Sequence, residues 1–291
     1  MSMDLFSIKT IKELLKQEEQ KPKKSLGQNF LISKDVLARI LGAAELSWTD
    51  TVLEIGPGIG TLTRGLAQSA KQVIAVEKDP AMVEILKETT KDLPNVEIVS
   101  GDILKQNLPS ASYPHLAEGK FAESKFKVVA NLPYYITSPV IRMFLEAADK
   151  PKLLVLMVQK EVAQRICAKP PDMSLLAVAV QFYATPSIVS YVKKSCFWPQ
   201  PKVDSAIIKI VPKLALGKAL LAEGKFFEVV KAGFKQPRKQ LGNNLAQGLK
   251  LSRQQVEAWL SQAGIQPTQR AETLSIENWV SLAKSPPRPK S

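Results

Sequence analysis

Beyond residue 50 the chain alternates short apolar runs with stretches of helical periodicity. Val52 to Ile55, Val73 to Val76, Val96 to Val99, Lys127 to Ala130 and Leu153 to Val158 are runs of four to six largely apolar or β-branched residues, bounded by Gly, Pro or polar residues. That is the pattern of strands buried on both faces. Between them, Thr61 to Ser69, Ala81 to Thr89 and Ser138 to Ala148 repeat apolar residues at helical spacing, and Asp79-Pro80 supplies an N-cap followed by proline in the first turn. Strand and helix in alternation predict an α/β fold built on a doubly wound, mostly parallel sheet.

Further on the pattern changes. Val189 to Val192 and Ala206 to Val211 predict a hairpin added to the sheet. The connection runs through Phe197-Trp198-Pro199-Gln200-Pro201, whose two prolines exclude a central strand there. From Leu214 onward the spacing is helical, with Phe226, Phe227, Val230 and Phe234 followed by Leu241, Leu245 and Leu249. A boundary near Pro212 follows, giving an α/β domain over residues 23–212 and a small C-terminal all-helical domain over 213–284. Residues 1–22 are an N-terminal extension, and the proline-rich 285–291 is expected to be a disordered tail.

Composition narrows the function. A chain of 291 residues at 45% hydrophobic and 23% charged can bury a sizeable core, which excludes disordered and fibrous classes. Two cysteines, Cys167 and Cys196, cannot build a disulfide framework, and with the lone His115 they match no zinc-site spacing, so no metal is expected. The longest apolar runs, Leu153 to Val158 and Leu175 to Val180, are too short to span a membrane, and residues 1–20 lack a signal-peptide core, which predicts a cytoplasmic, reduced and soluble protein. A net charge of +13 points to a nucleic-acid partner and no membrane. Residues 212–291 carry thirteen Lys and Arg against five Asp and Glu, so most of the excess lies in the helical part. There Lys231, Lys235, Arg238, Lys239, Lys250 and Arg253 form an acid-free stretch suited to phosphate contacts, with Lys231, Lys235, Arg238 and Lys239 as the RNA-binding candidates.

The sharpest local signal is Val52-Leu53-Glu54-Ile55-Gly56-Pro57-Gly58-Ile59-Gly60-Thr61, a strand entering a glycine-rich turn and then a helix. Glycines permit the tight turn and let the backbone approach a ligand. A nicotinamide fingerprint reads G-x-G-x-x-G; here the spacing is G-x-G-x-G, with Thr at 61. Preceded by Glu54, this loop resembles motif I of class I S-adenosylmethionine-dependent methyltransferases, which implies a Rossmann-like sheet and S-adenosyl-L-methionine as cofactor. Glu77 ends the second strand, where a carboxylate can accept both ribose hydroxyls of an adenosine; Asp102 follows the third, placed to accept from an adenine amino group.

After the fourth strand comes Asn131-Leu132-Pro133-Tyr134. An aromatic amine is a poor nucleophile because its lone pair is delocalised into the ring. An Asn oxygen and a neighbouring carbonyl that accept its two N–H bonds favour a geometry exposing the lone pair, and Tyr134 can stack on the base. The tetrapeptide resembles the signature of N6-adenine methyltransferases. Lys24-Ser25-Leu26-Gly27-Gln28-Asn29-Phe30-Leu31, Gln159-Lys160-Glu161-Val162 and Phe197-x-Pro199-x-Pro201-Lys202-Val203-Asp204-Ser205 narrow this to a resemblance to the ribosomal RNA adenine N6,N6-dimethyltransferases, and within them to the small-subunit branch.

The resemblance spans about Lys23 to Val280. It implies four methyl transfers, two to each of two adjacent adenines near the 3′ end of small-subunit (16S) rRNA, by a monomer acting on a pre-ribosomal particle. It implies cofactor contacts from Asn29, Leu31, Gly56, Glu77, Asp102 and Asn131, with Gly58 and Gly60 completing the loop. Asn131 also faces the target amine, and Phe197 stacks opposite Tyr134 to hold a flipped adenine as the third catalytic-site residue. Two features depart from the family pattern: Tyr135 stands where Asn commonly follows the tetrapeptide, and residues 105–125 form a long polar insertion. Three rival functions remain: a large-subunit adenine methyltransferase of the macrolide-resistance type, a non-catalytic nucleic-acid-binding relative, and a nicotinamide dehydrogenase. The last is disfavoured by Thr61 and the missing general acid/base histidine.

Overall fold

A computed structural model describes residues 3–105, 126–147, 149–213 and 223–287. The predicted tail from residue 288, His115 and nearly all of the 105–125 insertion lie outside the described residues. In chain order, α1 (Ile8–Gln17), β1 (Phe30–Leu31) and α2 (Lys34–Ala44) lead into β2 (Thr51–Ile55), α3 (Thr61–Ala67), β3 (Gln72–Glu77), α4 (Pro80–Thr90) and β4 (Val96–Ser100). Then come β5 (Phe126–Asn131), α5 (Thr137–Glu146), β6 (Leu153–Gln159), α6 (Lys160–Ile166), α7 (Leu175–Tyr183), β7 (Ala184–Val192), β8 (Phe197–Trp198) and β9 (Ser205–Pro212). Helices α8 (Glu223–Gly233), α9 (Leu241–Leu249), α10 (Arg253–Gln262) and α11 (Ile276–Lys284) close the chain.

All five predicted strands and all three predicted helices are present, with ends differing by one or two residues as fraying and capping allow. The sheet order is β4-β3-β2-β5-β6-β9-β7. Pairing is parallel from β4 to β6, and β9 joins β6 antiparallel with Ser205 opposite Gln159. Val52, Val73, Val129 and Val155 are buried between the sheet and helices α2 and α3, whose Val36, Ile40, Leu62 and Leu66 complete that core. Coverage of this kind is why these strands read as continuous apolar runs rather than alternating ones. The Asp79 carboxylate accepts from Ala81 N with Pro80 in the first turn of α4, so the predicted cap forms.

Three expectations change. The first hairpin strand begins at Ala184, not Val189, and contains Pro186; β7 is the last strand of the sheet, where a missing N–H costs no ladder bond. Phe197-Trp198 is more than a connection, because it forms β8 and pairs antiparallel with β1, Leu31 opposite Phe197. The third concerns the domains.

The chain divides into two compact units, residues 1–163 with 186–212, and residues 164–185 with 213–291. The 23–212 domain is thus interrupted: Gln164 to Thr185 belongs to the helical unit. The Leu175 to Val180 run is α7, and it buries Ala177 and Val178 in a core with Phe226, Leu241, Leu245 and Trp279. Phe182 stacks on Phe226 with centroids 4.1 Å apart, and Met173 N donates to Glu272 O at 2.9 Å. Such contacts join segments far apart in sequence, which local periodicity does not register. The N-terminal extension is likewise structured within the first unit. Helix α1, capped by Ser7, buries Ile11, Leu14 and Leu15 against Phe30, Ile59, Met82 and Ile85.

Candidate active site

The order β4-β3-β2-β5-β6 reverses direction between β2 and β5, so the loops leaving their carboxyl ends diverge and open a cleft. Its walls come from the Leu26–Leu31 segment, the β2 loop, the end of β3, Asp102 and Ile103, and the Asn131–Ile136 loop. In the glycine loop Gly56 and Gly58 have φ of 65° and 56°, and a Cβ on Gly58 would lie 3.3 Å from the Phe30 ring, so both positive φ and close approach require glycine. Gly60 behaves differently. It caps α3 at φ 88° outside the cleft lining, and a Cβ there would meet Thr89 Oγ1 at 2.9 Å, so glycine is required for the packing of α3 on α4.

Three carboxylates line the cleft. Glu77 is buried at the end of β3, where Oε2 accepts Gly58 N at 3.0 Å and Oε1 accepts Asp79 N at 2.8 Å. Burial raises its pKa despite these bonds, so it is a rigid acceptor in a poorly solvated place. Asp102 accepts Leu104 N at 3.1 Å and pairs with Lys78 Nζ at 3.0 Å. Burial works against its charge, but the Lys78 bond and charge prevail and hold its pKa below the usual carboxylate value. Glu54 is 1% exposed, and burial, opposed by the Thr63 hydroxyl and reinforced by the Glu77 charge, pushes its pKa up to about 8.

Glu54 Oε2 and Thr61 Oγ1 are buried polar atoms without a protein partner among the described residues, and both residues line the cleft. Orphaned acceptors and donors in a cleft call for a polar ligand or water. The loop carried Glu54 as a motif marker, but its chemical state was not legible, because no local pattern states how deeply a strand residue is buried. Lys78 was also missed; its place next to Glu77 was the available signal.

On the other side of the cleft, Asn131 ends β5. Its Nδ2 donates to Asn29 O at 3.2 Å, while Asn29 Nδ2 donates to Gly27 O at 2.9 Å. With the amide nitrogen engaged, Oδ1 remains as the acceptor. Tyr134 is partly buried, with its hydroxyl 2.8 Å from the buried Ser205 Oγ, and burial raises its pKa despite that bond. Phe197 also lines the cleft, yet it is 4% exposed and packs in the core with Leu31 and Ile207. The β1–β8 pairing ties the Asn29–Leu31 segment to Phe197, so residues expected to touch cofactor and base sit on one two-stranded unit. Asn29, Leu31, Gly56, Gly58, Glu77, Asp102, Asn131, Tyr134 and Phe197 are thus brought together, and Gly60 is not.

In the helical unit Lys231, Lys235 and Lys239 do not share one helix. α8 ends at Gly233, and Lys235, Arg238 and Lys239 lie in the turn before α9, which Pro237 interrupts. All four cations are exposed, and no described carboxylate pairs with them. Buried Asn244 holds the turn from within, donating to Gly233 O at 2.8 Å and Gln236 O at 2.9 Å. Elsewhere, no group of metal-ligating side chains gathers among the described residues, and none of the described helices is long and apolar enough to cross a membrane.

A family model described as ribosomal RNA adenine dimethylase matches residues 19–286. Among curated relatives, a protein named ribosomal RNA small subunit methyltransferase A from Dehalococcoides mccartyi is 49% identical over 280 residues, 93% of this chain and 90% of its own length. The protein of that name from Geobacillus kaustophilus is 41% identical over 290 residues, 98% of each chain. Among solved structures, the 23S rRNA methyltransferase ErmE aligns with a TM-score of 0.71 and 31% identity over 87% of this chain and 98% of its own. A dimethyladenosine transferase from Plasmodium falciparum aligns with a TM-score of 0.69 and 27% identity over 87% and 95%.

Proposed function

The chain belongs to the ribosomal RNA adenine dimethylase family, and from that premise we propose that it dimethylates the N6 amines of two adjacent adenines near the 3′ end of small-subunit rRNA. It is an S-adenosylmethionine-dependent enzyme. The observation that carries the reading is Asn131, whose amide nitrogen is held by Asn29 O so that its oxygen is the free acceptor in the cleft that also contains Glu77 and Asp102.

The residues present fit the cofactor. Glu77, fixed by two backbone N–H groups, accepts the ribose hydroxyls, Asp102 accepts from the adenine amine, and the backbone at Gly56 and Gly58 admits the ligand closely. Glu54 and Thr61 offer the orphaned polar atoms to its amino-acid end. When bound, the cofactor supplies a methyl group activated on a sulfonium. Asn131 and a neighbouring backbone carbonyl accept the two N–H bonds of the target amine, so its lone pair points at the methyl carbon. The base is held by Tyr134, whose ring orientation the Ser205 bond fixes, with Phe197 on the other face. Transfer would exchange the carbon–sulfur bond for a carbon–nitrogen bond, and the acidified amine, still held by Asn131, would lose its proton to water. No general base is required for this transfer.

Assignment to small-subunit rRNA rests on relatives of that name at 41–49% identity over nearly the whole chain; the large-subunit enzyme ErmE stands at 31%. The exposed Lys231, Lys235, Arg238 and Lys239, which no described carboxylate pairs, contact RNA phosphates. The protein works as a cytoplasmic monomer on a pre-ribosomal small-subunit particle. Incubation with labelled S-adenosylmethionine and a mixture of unmethylated small and large subunits, followed by nucleotide mapping, tests this. Two adjacent dimethyladenines near the 3′ end are expected; label confined to the large subunit, or cofactor binding without transfer, overturns it.

A further inference from the structure

Asp79 is a carboxylate buried to 2% exposure that the catalytic reading leaves without a role. Capping α4 accounts for only part of its geometry. Its bond from Ala81 N is 3.3 Å long, whereas shorter bonds come from Lys23 Nζ at 2.9 Å and Gln28 Nε2 at 2.8 Å, more than fifty residues away. A buried carboxylate is tolerated only where donors of this strength replace water. Gln28 is itself fixed, since its Oε1 accepts Lys23 N at 2.7 Å. The three side chains therefore close the segment 23–28 against the end of β3.

This closure reaches the reacting groups on both sides. Asp79 N donates to Glu77 Oε1, and Glu77 Oε2 accepts from the glycine loop at Gly58. Gln28 is followed by Asn29, whose carbonyl accepts from Asn131 Nδ2. One hydrogen-bonded path thus runs from the glycine loop through Glu77 and Asp79 to the 23–31 segment and on to Asn131.

We propose that Asp79, Gln28 and Lys23 are positioning residues for methyl transfer, forming a latch that holds the Gly27–Leu31 segment across the cofactor cleft and orients Asn131 through it. The inference rests on the methyltransferase reading of the cleft. Opening the latch frees the segment, weakens cofactor binding and lets the Asn131 amide rotate away from the target amine.

Gln28→Glu sets two carboxylates against each other and opens the latch. Adding Asp79→Asn reverses the amide and carboxylate across the same bond, keeps an N-cap residue on α4 and leaves Lys23 a carboxylate partner. Calorimetric titration with S-adenosylhomocysteine is expected to show about tenfold weaker binding for Gln28→Glu, with recovery to within about threefold in the double variant. Hydrogen exchange at residues 23–31 should quicken in the single variant and return in the double. Single-turnover rate at saturating cofactor should fall several-fold and recover in parallel, a pattern that mere loss of fold stability does not produce. Lys23→Met, which alters a half-buried side chain at the edge of the latch, is expected to show the same changes to a smaller degree if Gln28→Glu does not fold. Wild-type affinity in Gln28→Glu, or failure of the double variant to recover, overturns the latch. Absence of binding by the wild-type protein instead overturns the reading on which it rests.

Discussion

The charges around the cleft and those at the junction of α8 and α9 do opposite things. Around the cleft most charged groups are engaged: Glu77 with two backbone N–H groups, Asp79 with Lys23 and Gln28, Asp102 with Lys78. In the helical unit Lys231, Lys235, Arg238 and Lys239 stand exposed without a described carboxylate partner. A charge that is buried and bonded is fixed in direction, which suits it to placing small groups within a fraction of an ångström. An exposed cation is free to find a phosphate wherever the polymer offers one. The comparison teaches that positioning and docking are separate chemical tasks here, and mutations should separate them.

The largest effect is expected from Glu77→Ala. It removes acceptors for two ribose hydroxyls, each charge-assisted bond contributing roughly 1.5–3 kcal/mol, and also leaves the N–H groups of Gly58 and Asp79 without their acceptor. Cofactor affinity by calorimetry should fall by about two orders of magnitude while salt-dependent RNA binding persists. Wild-type affinity in a folded variant would show that the engaged carboxylate is structural only.

Asn131→Ala should lower single-turnover methylation by roughly 10²-fold at saturating cofactor and RNA, the scale for a preorganised polar group at the reacting atom. RNA affinity should change little. If RNA binding falls as far as turnover, the division between positioning and docking groups fails.

Replacing Lys231, Lys235, Arg238 and Lys239 together by Gln should flatten the plot of log affinity against log salt by up to about 3, taking four contacts at roughly 0.7 each for single-stranded RNA. Cofactor binding should stay at wild-type strength. An unchanged salt slope on small subunits would make these cations a solvated surface and move RNA docking elsewhere.

A smaller effect separates burial from bonding within the cleft. The pKa of Glu54 is about 8 in the folded protein against an ordinary 4.5. The unfolded chain ionises this group first, so its contribution to stability is full below about pH 4.5 and is lost as pH rises towards 8. Glu54→Gln removes the titration. Denaturant unfolding should show the variant gaining about 3 kcal/mol on the wild-type protein between pH 4.5 and pH 7. An equal difference at both pH values would mean that Glu54 is ionised in the fold.

Local signals carried some parts of the structure better than others. Val52 to Ile55 and Leu153 to Val158 were legible as strands because a buried parallel strand must be apolar on both faces, a constraint that leaves its mark in a few consecutive residues. Glu77 and Asp102 were legible as site candidates because they follow predicted strands, and strand ends of an open sheet meet at the cleft. The packing of Gly60 on Thr89 was not legible, since Thr89 is twenty-nine residues on and only helix packing brings them together.

What the sequence alone determined is what short-range rules govern: the alternation of elements, the glycine loop, the Asn131–Tyr134 turn and the excess of positive charge towards the C-terminus. Only the tertiary structure decided that Gln164–Thr185 joins the helical unit, that Phe197-Trp198 pairs with Phe30-Leu31, that Asp79 binds Lys23 and Gln28, and that Glu54 is cut off from water. Each of these depends on a partner distant in sequence. Burial, pairing and the energy of a charge depend on what surrounds a residue in space, and the residues beside it in the chain do not fix those surroundings.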